Sequence, residues 1–210
     1  MENTEILGGL KKQKELVLVQ ILYLYITPIL LLYYGLIPGD LRVLVLFAVC
    51  VLLYGIVKHA KWTWADMGIY KNFVKDSLPY FLFTIGSIAF LFWLSQISPR
   101  TPMSGWWHNI KFLLLFIPLS VLQELALRGV LMNMLRRAFK NPIFIILLNA
   151  CIFALIHIIY IDATFVLPFT FIAGLGFAWM YYKYPNLILI SISHTILNFI
   201  GMILGFFVLR

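Results

Sequence analysis

The stretch Phe112-Leu-Leu-Leu-Phe-Ile-Pro-Leu-Ser120-Val-Leu-Gln123-Glu124-Leu-Ala-Leu-Arg128-Gly-Val-Leu-Met-Asn-Met-Leu135 decides the fold. It is long and apolar enough to cross a hydrocarbon core, which takes about 20 residues of helix, yet it carries a carboxamide, a carboxylate and a guanidinium. An ionisable group near the bilayer centre costs about 3 kcal/mol or more unless it is paired or hydrated. Gln123, Glu124 and Arg128 therefore mark a functional site by default, and their partners have to be found elsewhere in the chain.

Further apolar stretches run through Leu16 to Ile37, Val43 to Val57, Leu78 to Ile97, Ile143 to Tyr160, Thr164 to Tyr182 and Leu187 to Leu209. With 63% hydrophobic and 11% charged residues over 210 positions, the composition lies outside the range of soluble globular domains. The chain reads as an all-α polytopic transmembrane helix bundle of about seven spans, a single membrane domain over 1–210 with its core at 112–200.

The net charge of +8 is distributed as membrane flanks. With the amino terminus inside, eleven of the 16 Lys and Arg fall on one side, and Arg42, Arg100, Lys111 and Arg210 fall on the other. That asymmetry is an orientation signal and not a nucleic-acid footprint. It places the amino terminus in the cytoplasm and leaves membrane lipids, not nucleic acid, as the surroundings. The first span lacks a small-residue cleavage pattern, so a removable signal peptide is not expected. Cys50 and Cys151 fall within predicted spans without a CxxC or metal-like spacing, which assigns them to packing.

Between the spans, Trp62, Ala65, Ile69, Phe73 and Val74 recur at helical spacing, which predicts a helix lying in the interface over 62–77, with a loop carrying aromatic anchors as the alternative. Residues 98–111, with Pro99, Pro102, Gly105, Trp106 and Trp107, read as a connecting loop with interfacial tryptophans. Gly174 and Gly176 beside Ala173 and Ala178 predict close helix approach in the sixth span.

Positions four apart share a helix face, whereas neighbours diverge by about 100°. Glu124 and Arg128 are thus placed to pair, in the favoured order, and Gln123 points elsewhere. His194 and Asn198 share one face of the last span, and Phe153 lies one turn before His157. At 1.5 Å per residue, Gln123, His157 and Asn198 each fall roughly 15 to 25 Å from the cytoplasmic ends of their spans. Two histidines, an asparagine, a glutamine and an ion pair at similar depth on three spans read as one functional cluster.

These residues resemble the motifs of the CPBP family of intramembrane proteases, the CAAX proteases and bacteriocin-processing enzymes also called Abi. The family pattern Glu-Glu-x-x-x-Arg is met by Gln123-Glu124-Leu-Ala-Leu-Arg128, Phe-x-x-x-His by Phe153-Ala-Leu-Ile-His157, and His-x-x-x-Asn by His194-Thr-Ile-Leu-Asn198. The resemblance covers roughly Phe112 to Ile200. It implies an intramembrane endopeptidase in which the first glutamate of the first motif and His157 activate a water, while His194 and Asn198 stabilise the oxyanion. Glu124 and Arg128 support the helix.

The chain departs from this pattern at Gln123. A carboxamide positions a water but cannot take its proton, so hydrolysis is expected to be strongly impaired, by about the 10²- to 10⁴-fold that general-base catalysis contributes. Three accounts stay open: an engineered, nearly isosteric replacement; a natural pseudoprotease acting as an immunity protein or membrane regulatory partner; or a base supplied by Glu124 or His157. A metal-free site is favoured, with zinc on Glu124, His157 and His194 as the alternative. A small transporter would call for repeats or unwound Gly/Pro pairs, and neither is clear. The expected substrate is a peptide or protein with a hydrophobic or amphipathic segment, and the expected location is a bacterial plasma membrane.

Overall fold

The structure, a computed structural model, describes residues 2–98 and 100–207, with the backbone alone at 2–10 and 111–113. Pro99, Leu209 and Arg210 lie outside the described residues. Among the described residues seven apolar helices follow one another: α1 Lys11–Tyr33, α2 Gly39–His59, α3 Phe73–Ile97, α4 Leu114–Ala138, α5 Pro142–Leu155, α6 Ala163–Lys183 and α7 Leu187–Ile203. Five are long and apolar enough to cross a membrane, and α5 and α7 are shorter, at 14 and 17 residues. The protein is an integral membrane helix bundle. Its outer faces expose apolar side chains such as Leu44, Phe47, Leu82, Phe92, Leu114 and Ile172, as a lipid-facing surface does.

Local signals set the helix ends. The side chain of Asn141 accepts from the amides of Ile143 and Phe144, and Pro142 takes the first position of α5, where its missing N–H costs nothing. Asp162 caps α6 and Asn186 caps α7 in the same way. At its far end α7 closes on Gly205 at φ +81°, with Phe206 N–H donating to the Gly201 carbonyl, the left-handed termination that glycine permits. The predicted fifth span runs five residues too far. The chain turns after Leu155 although Ile156 to Tyr160 remain largely apolar, because the His157 ring bonds back to the Phe153 carbonyl and Asp162 starts a new helix.

Helix α4 lies at the centre, buried from Ala126 to Leu135 except at Asn133. It packs antiparallel to α7, and α5 and α6 form a tight hairpin. The small-residue reading of the sixth span holds. A Cβ on Gly174 would lie 3.2 Å from the Ala150 backbone and 3.0 Å from the Phe153 ring, and one on Gly176 would lie 3.0 Å from Phe83.

The interfacial helix predicted over 62–77 does not form. Residues 62–72 are turns and irregular chain, followed by a single short helical turn at Phe73–Asp76. Thr63 and Asp66 bond each other's backbone amides, an alternative to helical bonding that short polar side chains favour. Those bonds hold the exposed Asp66 carboxyl below the usual carboxylate range. Gly68 then sits at φ +73°, its carbonyl accepting from Leu187 N–H while Tyr181 Oη donates to the Met67 carbonyl. The segment is a strap across the start of α7 and the end of α6. A Cβ at Gly68 would lie 2.6 Å from Tyr181 Oη. Gly68→Ala is therefore expected to lower stability by about 2 kcal/mol, combining the left-handed backbone with the displaced hydroxyl. Thermal unfolding in detergent beside the parent chain checks it, and an unchanged midpoint would remove the strap from the packing account.

Candidate active site

The polar cluster is built where α4 changes its winding. Residues Leu125–Leu131 form a wide π-helical turn, a feature that recurs at functional sites and disturbs the ordinary carbonyl ladder. Side chains from neighbouring helices take up the loosened carbonyls: Tyr25 Oη donates to Ala126 O at 2.7 Å and Asn149 Nδ2 to Leu127 O at 2.8 Å. Within α4, Asn133 Nδ2 donates to Gly129 O at 2.8 Å.

Glu124 Oε1 and Arg128 Nη1 lie 2.9 Å apart with both side chains fully buried. The guanidinium stands over the rings of Phe153 at 4.5 Å and Phe177 at 5.4 Å, so aromatic faces supply part of the compensation that water supplies outside. His194 Nδ1 approaches the same carboxylate oxygen to 2.7 Å. One turn away on both helices, Asn198 Nδ2 donates to Ser120 Oγ at 3.2 Å. Ser120, Glu124 and Arg128 form one stripe of α4 and His194 and Asn198 one stripe of α7. The antiparallel packing matches them as two rungs.

His157 occupies the turn just beyond α5. Its Nδ1 lies 2.7 Å from the Phe153 carbonyl oxygen. A carbonyl only accepts, so Nδ1 carries the proton and Nε2 is the acceptor. The ring stacks near Phe153 and Tyr160. His157, His194 and Asn198 together line a cavity of about 430 Å³ whose other walls are apolar except at Ser87 and Thr170, with Phe83, Phe90, Phe169 and Phe177 from α3 and α6. Leu82, Phe90 and Ile172 line it and are also exposed on the lipid-facing side, so the cavity reaches the surface between α3 and α6.

A family model described as Rce1-like, type II CAAX prenyl endopeptidase, matches residues 105–200. Over these residues the chain is similar to the CAAX protease family, as its three motifs imply. The matched part opens in the loop before α4 and closes within α7, so it includes every residue of the cluster and leaves α1 to α3 outside. The family is one of CAAX-type intramembrane endopeptidases. No curated protein and no solved structure matches the chain.

Of the expected site residues, the structure brings His157, His194 and Asn198 to one cavity, and Glu124 and Arg128 directly behind His194. Gln123 is not among the lining residues. It is half-buried, and its Oε1 is buried without a hydrogen-bond partner in the protein. Ser120, Asn149 and Tyr25 escaped the sequence reading. Ser120 lies four residues before Glu124, a spacing that would have found it, and Asn149 is a lone amide in an apolar helix. Among the described residues no three His, Cys, Asp or Glu side chains gather as a metal cage, and Glu124 Oε1 already faces both Arg128 and His194.

Proposed function

We propose that the protein binds the apolar segment of a peptide or membrane-associated protein in the cavity and is an intramembrane endopeptidase impaired at its general base. The observation that carries this reading is the meeting of His157, His194 and Asn198 on one apolar-walled cavity that opens toward the lipid-facing surface. A scissile carbonyl in that cavity faces Asn198, which keeps its second amide N–H free of the Ser120 bond, and the His194 imidazole, which has the Glu124 carboxylate 2.7 Å from Nδ1 on its far side. His157 offers Nε2 as an acceptor for a water proton. Gln123, adjoining the cluster, offers an amide where the family pattern has a carboxylate. The non-catalytic alternative, an immunity protein or regulatory partner, rests on that same amide.

The reading also includes a metal-free mechanism, a single membrane domain over the whole chain, a cytoplasmic amino terminus and a bacterial plasma membrane. One stoichiometric zinc found by elemental analysis would overturn the first of these. The cavity itself is tested at Gly86, which lines it with open space around the Cβ position. Gly86→Phe places a ring at the cavity wall from a Cβ that meets nothing within 4 Å, and peptides with apolar stretches retained by the detergent-purified protein are expected to fall at least about tenfold. That corresponds to losing the burial of one apolar side chain. Mass spectrometry of the bound fraction reads it; retention equal to the parent would place peptide binding elsewhere.

A further inference from the structure

At the opposite end of α4 from Ser120, a second cleft of about 520 Å³ is lined by Arg136, Phe139, Lys140, Ile145 and Tyr182. It lies where α4 ends, α5 begins and α6 finishes, at the bundle end that carries Lys11, Lys12, Lys14, Lys58, Lys71, Lys75 and Lys183. The Arg136 guanidinium is pinned in place. Its Nη2 donates to the Tyr182 carbonyl at 2.6 Å and its plane stands 4.5 Å over the Tyr182 ring. Its Nε is buried without a partner. Lys140 is exposed in the short link before α5, and Lys14 lies across the Phe139 ring, 5.9 Å from its centroid.

Among the described residues none of these cations has a carboxylate. The ion pairs of the described residues are those of Asp162 with Arg100 and of Glu124 with Arg128 and His194. Glu15 is next to Lys14 in sequence but projects about 100° around α1 from it. An oriented arginine with a free buried N–H, joined by two lysines and floored by Phe139, Ile145 and Tyr182, is built for an anion with an apolar body. From the cleft, Phe139 packs on Phe144 at 4.8 Å, and Ile143, Phe144 and Leu147 continue along α5 as exposed apolar surface. A free anion has no use for that strip, whereas acyl chains do.

We propose that this cleft holds the phosphate of an anionic phospholipid headgroup, with the acyl chains lying along the exposed face of α5. Basic pockets between membrane helices at the cytoplasmic headgroup level suit such lipids, each cation adding about 1 kcal/mol, or roughly fivefold in affinity. The site is independent of the peptide cavity and of whether the chain hydrolyses anything.

Thermal unfolding of the delipidated full chain in neutral detergent, with phosphatidylglycerol, phosphatidylcholine or inorganic phosphate added, tests it. Phosphatidylglycerol is expected to raise the Tm by several degrees, and the other two to leave it unchanged. Lys140→Gln, an exposed change that removes no hydrogen bond, should weaken the phosphatidylglycerol response about fivefold, and Arg136→Gln with Lys140→Gln about twentyfold. Lys71→Gln with Lys75→Gln, on the same side of the bundle, should leave it intact. Equal responses to both lipids, or equal weakening by the Lys71/Lys75 pair, would overturn the site. A shift produced by phosphate alone and lost in Lys140→Gln would overturn the lipid and assign a free anion.

Discussion

Replacing Gln123 by glutamate is expected to raise peptide hydrolysis by about 10²- to 10⁴-fold, the contribution of a positioned general base. The substitution changes one atom type and almost no volume. Gln123 Oε1 is buried and partnerless within the protein, so a carboxylate there breaks no bond that the fold uses. Glu124 is adjacent in sequence but turned about 100° away, and its charge is answered by Arg128 at 2.9 Å and His194 at 2.7 Å. The new carboxylate would stand one turn from Ser120, which holds Asn198. New peptide termini, counted by mass spectrometry after incubation with a pool of peptides carrying apolar segments, give the readout. If hydrolysis stays at the parent level while the same peptides remain bound, the proteolytic reading fails and a peptide-binding membrane partner takes its place.

The residues of the cluster were legible because the information lies in spacing. Glu124 with Arg128 and His194 with Asn198 are four apart on helices that the apolar pattern announces, and a helix forces such pairs onto one face. The same logic, applied one turn earlier, leads to Ser120. What the pattern could not supply was tertiary. Ile156 to Tyr160 look like the continuation of a span, but the turn at His157 is stabilised by a ring-to-carbonyl bond and by the next helix cap, neither of which leaves a periodic trace. The strap at 62–72 imitates an amphipathic helix in its aromatic spacing. Its conformation is decided by the mutual bonds of Thr63 and Asp66 and by a left-handed glycine seated on Tyr181. The π-helical turn around Arg128 is likewise invisible in a list of residues, although it explains why Tyr25 and Asn149, far apart in sequence, both reach into α4.

Arg128→Met is expected to destabilise the protein by about 3–5 kcal/mol, because it leaves the buried Glu124 carboxylate facing only His194. Methionine matches the volume of the arginine stem and packs acceptably against Phe153 and Phe177, so the loss reports the charge and not a hole. The double variant with Glu124→Gln is the decisive comparison. Replacing a buried ion pair as a whole is often close to neutral, whereas removing one partner is not, and residues in direct contact are non-additive by up to about 3 kcal/mol. The double variant should therefore regain most of the stability lost by Arg128→Met, read as thermal midpoints in one detergent. Equal losses in the single and double variants would show that Arg128 acts through its stacking on the two rings alone. Recovery in the double variant would establish that the pair's burden on the fold is mutual, leaving the stripe of α4 free to be judged by what it does for His194. A carboxylate held at Nδ1 orients the imidazole toward the cavity, and the neutral amide that Glu124→Gln introduces would not supply its charge.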